Sequence, residues 1–138
     1  MVKILIVTHG PLAEGFKESA RMFFADAVDE KIDTIGLYPG DVIEDLKDKI
    51  VASIKQNNTE DGTLIFVDML AGSPFNMVGL VLNELKDEYK LECITGINMP
   101  LLMEALASAD SMDLSSITDI VEELAPQSVL NAKKILGL

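Results

Sequence analysis

The sequence predicts an α/β fold in which an open, mainly parallel sheet lies between two layers of helices. Four short apolar runs, at residues 3–7, 32–37, 63–67 and 91–96, alternate with longer stretches of helical period, which is the pattern of repeated strand-helix-strand units. The first and third runs are apolar almost throughout, as is typical of strands that are covered on both faces. Together these observations predict three layers with helices on both faces of the sheet.

The strands are predicted to differ in their position within the sheet. Residues 3–7 and 63–67 form neighbouring central strands, because continuous apolar runs need cover on both sides. Residues 32–37 form an edge strand, since Asp33 and Thr34 interrupt that run. A chain of 138 residues is long enough to bury a core of its own. We therefore interpret residues 1–138 as a single domain.

Two stretches of helical spacing between the first three strands are predicted to pack on the sheet. They consist of Leu12, Phe16, Ala20 and Phe23 in the first helix and Ile43, Leu46, Ile50 and Ile54 in the second. The second helix is predicted to open with a capping box made of Asp41 and Glu44.

Serine and proline mark the later helix starts. Ser73 is predicted to cap the third helix, with Pro74 in the first helical position. A fourth helix begins near Pro100. Residues 114–138 are predicted to form two helical pieces broken at Pro126, because proline lacks the N–H that a helix interior requires.

Charge and composition exclude several classes of function. The chain has 11 basic and 23 acidic side chains and a net charge of -12, which repels nucleic acids and anionic membrane surfaces. A single cysteine, Cys93, cannot form an internal disulfide, and no apolar run has the length of a membrane span or the form of a signal peptide. We therefore expect a cytoplasmic protein. Because the chain has one histidine and no cysteine cluster, we expect neither a metal site nor a cofactor.

Polar residues follow directly on the two central strands. His9 comes after the first strand and Asp68 after the third, and the carboxyl ends of neighbouring parallel strands meet at one edge of a sheet. A carboxylate that holds one imidazole nitrogen suits phosphoryl transfer through the other. Gly10 keeps the approach open, and the backbone N–H groups at the first helix and at Gly72 and Ser73 can receive phosphate oxygens. From the residues alone, a structural role for the histidine stays equally open.

Three motifs make the chain similar to a known family. They are VTHG after the first strand, VDMLAGSPFN after the third and TGINMPLLMEAL after the fourth. In this order and on these elements they resemble the mannose-family enzyme IIA component of the bacterial phosphoenolpyruvate-dependent sugar phosphotransferase system. The resemblance extends from the first strand to about Ala109.

The resemblance implies a role for each candidate residue. His9 would take a phosphoryl group from the histidine phosphocarrier protein and pass it to a histidine of enzyme IIB, which serves the membrane components IIC and IID. Asp68 would pair with the imidazole. Gly72 and Ser73 would receive the phosphoryl oxygens.

The resemblance also implies features of the fold and assembly. It implies a sheet of flavodoxin-like order and a homodimer in which a C-terminal segment is exchanged between subunits. Asn98 and Pro100 would lie in a loop next to the site. Ala71 stands where many relatives carry a second glycine, and the residues after Ala109 contain no clear final strand. We expect a stand-alone enzyme IIA unit without a fused IIB domain.

Three alternative functions share parts of this pattern. A phosphoryl-carrier subunit of a dihydroxyacetone kinase has a similar fold, but the GSPFN motif argues against it. A receiver-type signalling domain would need an acidic pair where this chain has Thr8 and His9. A non-catalytic regulatory binding module on the same fold would use His9 only as a binding residue. The sequence does not identify the transported sugar.

Overall fold

The computed structural model describes all 138 residues and contains one sheet of four parallel strands. The strands are β1 Lys3–His9, β2 Ile32–Leu37, β3 Thr63–Val67 and β4 Leu91–Thr95. Their order is β2-β1-β3-β4, which matches the first four strands of a flavodoxin-like sheet. The predicted fold class is therefore confirmed, with β1 and β3 as central neighbours and β2 at an edge.

Seven helices and one 3-10 turn connect and follow the strands. They are α1 Leu12–Phe24, α2 Ala27–Lys31, α3 Ile43–Asn57, α4 Ser73–Leu85, α5 Met99–Ser108, α6 Leu114–Leu124, the 3-10 turn Ala125–Gln127 and α7 Ala132–Ile135. None of them combines the length and apolar character that crossing a bilayer requires.

The alternation of side chains along β1 divides the hydrophobic core into two halves, one on each face of the sheet. Ile4 and Ile6 belong to the half that contains α1, α5 and α6, whereas Leu5 and Val7 belong to the half that contains α3 and α4. His9 is two residues beyond Val7. The strand therefore directs His9 to the side of the sheet that α3 and α4 cover.

The buried face of α1 contains Phe16 and Ala20, as predicted, but it is shifted by one residue at both ends. Leu12 and Phe23 are 45% and 62% exposed, whereas Ala13 is buried and Phe24 partly buried. Both pairs are eleven residues apart, which is three helical turns, so spacing alone cannot choose between the two faces. The small Ala13 and Ala20 let the helix approach the sheet closely. In α3 the predicted face is buried except at its first residue, Ile43.

The predicted caps of α3 and α4 are wrong. The Asp41 side chain accepts a hydrogen bond from the Tyr38 N–H at 2.8 Å, so it closes a turn before α3, and that helix begins after Val42 without a side-chain cap. The N-cap of α4 is Gly72, and Ser73 is already the first helical residue. The first turn of α4 is consequently uncapped.

The C-terminal segment is helical, as its pattern predicts, and breaks at the turn that contains Pro126. It adds no strand to the sheet. The Asn98 side-chain amide donates to Ser128 Oγ at 2.9 Å, which holds the end of α6 next to the start of α5. All residues from 129 to 138 are exposed. The exchange of a C-terminal segment between subunits stays a prediction.

Candidate functional site

The polar residue that ends β1 and the one that follows β3 are in direct contact. His9 Nδ1 lies 2.8 Å from Asp68 Oδ2, and the His9 backbone N–H donates to the same oxygen at 3.0 Å. The Asp68 side chain is only 11% exposed, whereas that of His9 is 47% exposed. The carboxylate is thus fixed in the protein, and the imidazole that it holds faces outward.

The charge of Asp68 determines which imidazole nitrogen carries the proton. Burial raises the pKa of Asp68. Hydrogen bonds from the His9 backbone and ring, together with one from the backbone N–H of Asp68, outweigh burial and lower the pKa of Asp68 below the usual value. The carboxylate is therefore ionised near neutral pH and can only accept hydrogen bonds. Nδ1 must then be the protonated nitrogen in the neutral ring, which leaves the lone pair on Nε2.

The start of α4 lies against the imidazole. A Cβ atom built on Gly72 would be 3.3 Å from His9 Cε1 and 3.5 Å from Nε2. Gly72 has φ 92° and ψ 168°, a conformation that is nearly restricted to glycine. The N–H groups of Gly72, Ser73 and Phe75 have no hydrogen-bond partner within the chain. Free amides and the positive end of the helix dipole therefore adjoin Nε2 and can bind an anion.

At the start of α1 two backbone N–H groups form hydrogen bonds within the chain. The Gly10 N–H donates to the Leu37 carbonyl at 2.7 Å, and the Ala13 N–H donates to the Thr8 hydroxyl at 2.9 Å. The helix packs on the opposite face of the sheet from the one that His9 faces. Gly10 therefore supplies a left-handed turn, at φ 54°, and no free N–H group.

The comparison with known proteins decides the family. Residues 3–122 match EIIA-man, described as the PTS system fructose IIA component. The chain belongs to the EIIA-man family. The resemblance carried by the three sequence motifs is thereby confirmed.

Individual EIIA-man relatives support the assignment to different extents. The mannose-specific EIIAB component of Escherichia coli K12 is 35% identical over 109 residues, which are 79% of this chain and 32% of that protein, so the chain spans about a third of that relative. The sorbose-specific EIIA component of Lacticaseibacillus casei is 28% identical and aligns over 96% of this chain and 98% of its own. A crystal structure of an EIIA component from Streptococcus agalactiae has a TM-score of 0.83 at 25% identity, with 97% and 99% of the two chains covered.

Exposed apolar side chains lie at the same edge of the sheet as the imidazole of this EIIA-man chain. Leu12, Tyr38, Val42, Met69 and Leu70 follow β1, β2 and β3 at the edge where His9 lies, and each is between 45% and 67% exposed. The loops and helix starts at residues 8–16, 36–46, 68–76 and 95–101 contain no lysine or arginine. Their exposed acidic residues are Asp41, Glu44 and Asp45, together with Glu14, whose carboxylate instead accepts from the Thr34 hydroxyl in β2. The face around His9 is therefore apolar and acidic.

The structure also places the residues that were predicted to lie next to the site. Asn98 uses its side chain within the fold, because Oδ1 accepts from the Leu101 N–H at 3.1 Å and the amide group binds Ser128. Pro100 lies in the first turn of α5. Ala71 has φ 62°, a conformation that favours glycine. The sequence analysis did not identify Thr8, whose hydroxyl accepts from the second residue of α1 although the N-cap position is Pro11.

Proposed function

We propose that His9 is the phosphoryl carrier of this enzyme IIA component, that Nε2 is the reacting atom, and that Asp68 orients the ring. The observation that carries the proposal is the 2.8 Å contact between Nδ1 and Asp68 Oδ2. It holds the proton on Nδ1 and leaves the Nε2 lone pair exposed beside the uncapped start of α4. Family membership favours this relay over a dihydroxyacetone kinase subunit, a receiver domain or a non-catalytic binding module.

The transfer needs no co-reactant beyond the two proteins that exchange the phosphoryl group. The Nε2 lone pair forms a bond to phosphorus while the N–P bond of the donor histidine breaks, and its electron pair returns to the donor ring. The His9 ring becomes cationic when it carries the phosphoryl group, and Asp68 stabilises that charge. The Nδ1 proton stays in place throughout. The reverse sequence passes the group to a histidine of enzyme IIB.

The start of α4 is proposed as the cradle for the phosphoryl oxygens. The N–H groups of Gly72 and Ser73 are unpaired in the chain, and Ser73, which carries a hydroxyl, is the first residue of α4. Donors that are already oriented stabilise the charge on the transferring group without reorganisation. Gly10 contributes by its left-handed turn at the end of β1. No metal or cofactor takes part in the proposal.

The surroundings of His9 support macromolecular partners. An exposed apolar face of this kind is typical of a protein-docking surface, and its carboxylates suit a partner with basic residues around its own histidine. We propose the histidine phosphocarrier protein as donor and enzyme IIB as acceptor, in the cytoplasm, with the membrane components IIC and IID involved only through IIB. A homodimer stays part of the proposal. The sugar is left open.

Labelled phosphoenolpyruvate tests the proposal, in the presence of enzyme I and the phosphocarrier protein. Wild type should take up label that is labile in acid and stable in base, as expected of phosphohistidine, and His9→Ala should take up none. Asp68→Ala should fold and accept the group more slowly. Asp113→Ala is the matched control, because Asp113 accepts a backbone N–H at 2.8 Å at the start of α6 and does not contact His9. Uptake of label by His9→Ala would contradict the proposal, and so would an Asp68→Ala variant that accepts the phosphoryl group at the wild-type rate.

A further inference from the structure

We propose that Gly36 is a positioning residue for His9, acting through the turn at Gly10. The inference rests on the proposed function, because it concerns the orientation of the same imidazole. Gly36 lies in β2, on the strand that pairs with β1, in register with Thr8. It touches neither Asp68 nor the free amides of α4.

The close approach of the Gly10 carbonyl is the first observation. A Cβ atom on Gly36 would lie 2.3 Å from the Gly10 oxygen and 3.3 Å from the Gly10 carbonyl carbon. A separation of 2.3 Å is far inside van der Waals contact, and the atom concerned belongs to the backbone. There is therefore no room for a side chain at Gly36, because the turn after His9 passes directly over it.

The backbone conformation of Gly36 isolates the effect. Gly36 is not among the glycines with positive φ, so alanine could adopt the same strand conformation without strain of its own. The third neighbour, Tyr38 Cε2 at 3.0 Å, is at the far end of a side chain that can rotate away. Any effect of a methyl group at this position must therefore act mainly on Gly10.

The turn at Gly10 is coupled to the imidazole by short links. The Gly10 N–H donates to the Leu37 carbonyl at 2.7 Å, and the adjoining His9 N–H donates to Asp68 Oδ2 at 3.0 Å. A methyl group on Gly36 requires the Gly10 carbonyl to move by about 1 Å to reach ordinary contact. That movement would strain both hydrogen bonds and turn the ring away from the carboxylate.

The experiment compares Gly36→Ala with Gly79→Ala. A Cβ on Gly79, in α4, would meet nothing within 4 Å, so this control adds the same methyl group without a contact. Two quantities are measured in each protein: the rate of phosphoryl acceptance from the phosphocarrier, and the ¹⁵N signals of the His9 ring in the unphosphorylated state. Wild type and Gly79→Ala should have Nδ1 protonated in the neutral ring. Gly36→Ala should give averaged ring signals and a rate about 10- to 100-fold lower, as expected of a displaced reacting group.

Each outcome bears on the inference. Gly36→Ala that folds and keeps the wild-type rate and ring signals would overturn it, and so would a slower rate with unchanged ring signals. If Gly36→Ala does not fold, amide exchange of wild type decides: protection of the Gly10 N–H supports the pinned turn, and exchange as fast as in an unstructured peptide overturns it. Failure of wild type to take up phosphate would refute the proposed function, while the ring signals would still test Gly36.

Discussion

The starts of α1 and α4 differ although both helices follow a central strand at the same edge of the sheet. At α1 the Leu37 carbonyl accepts from the Gly10 N–H and the Thr8 hydroxyl accepts from the Ala13 N–H. The Leu12 and Glu14 N–H groups stay unpaired, but they start a helix that packs on the face of the sheet opposite to His9. At α4 the first amides are unpaired within the chain and adjoin the imidazole. The start of α1 is built for stability, and the start of α4 is available for an anion.

The comparison teaches that a helix start can bind the transferring group only where its free amides also adjoin the imidazole. A helix dipole exists at both places, but α1 packs on the face opposite to His9. Substitutions at the start of α1 should therefore lower stability, and those at α4 should lower the rate of phosphoryl transfer. The following predictions test this division, beginning with the largest effect.

Gly72→Ala should cause the largest loss at the α4 start. The new methyl group would lie 3.3 Å from His9 Cε1, next to the reacting nitrogen, and alanine is strained by about 1–3 kcal/mol in this backbone conformation. We expect phosphoryl acceptance to fall about 100-fold, since a displacement on the order of 1 Å at a reacting group has that effect. Stopped-flow transfer from the phosphorylated carrier measures the rate, with Gly79→Ala as control. Equal rates in the two variants would remove Gly72 from the cradle.

Thr8→Val should lower the free energy of unfolding and leave the rate of phosphoryl transfer unchanged. Thr8 is fully buried, and valine keeps its shape but leaves the Ala13 N–H without an acceptor. The loss of such a cap costs about 1–2 kcal/mol. Urea unfolding measures this cost, and the transfer rate below the unfolding transition should stay close to that of wild type. Thr8→Ser, which keeps the hydroxyl, should recover part of the stability. A large loss of rate with unchanged stability would reverse the roles of the two helix starts.

The smallest expected effect is the dependence of stability on pH through Asp68. Its pKa is lower in the folded protein than the usual value, with burial opposing and His9 hydrogen bonds favouring the ionised form. The unfolded chain therefore binds a proton more readily, so Asp68 stabilises the fold above the usual carboxyl pKa, and this contribution disappears as the pH falls through the lowered pKa. The difference in unfolding free energy between wild type and Asp68→Asn should shrink between pH 7 and pH 3. A difference that grows on acidification would contradict the direction of the shift.

The sheet could be predicted from the apolar runs, and the His9–Asp68 pair from the residues at the ends of two of them. Continuous apolar runs identified β1 and β3 as central strands, and parallel strands that are neighbours bring His9 and Asp68 to one edge. The order of the motifs along the chain then identified the family. These features depend on side-chain types and their sequence positions, which the sequence contains directly.

The starts of α4, α5 and α6 lie within one residue of their predicted positions, but the hydrogen bonds that cap the helices could not be predicted, because several local donors and acceptors compete for each other. Asp41 can cap α3 or close the turn at Tyr38, and the structure has the second. Ser73 can cap α4 or begin it, and the left-handed Gly72 decides for the second. The contact between Gly36 and the Gly10 carbonyl joins residues 26 positions apart. No local pattern in the sequence records such an approach.

The position of the phosphoryl group on the His9 ring tests the central claim most directly. Protein labelled with ¹⁵N in its single histidine is phosphorylated through the phosphocarrier, and the coupling between ³¹P and each ring nitrogen is measured. We predict that phosphorus is bonded to Nε2, while Nδ1 keeps its proton and its contact with Asp68. A group bonded to Nδ1 would contradict the geometry of the pair, and phosphate on another residue would contradict the role of His9.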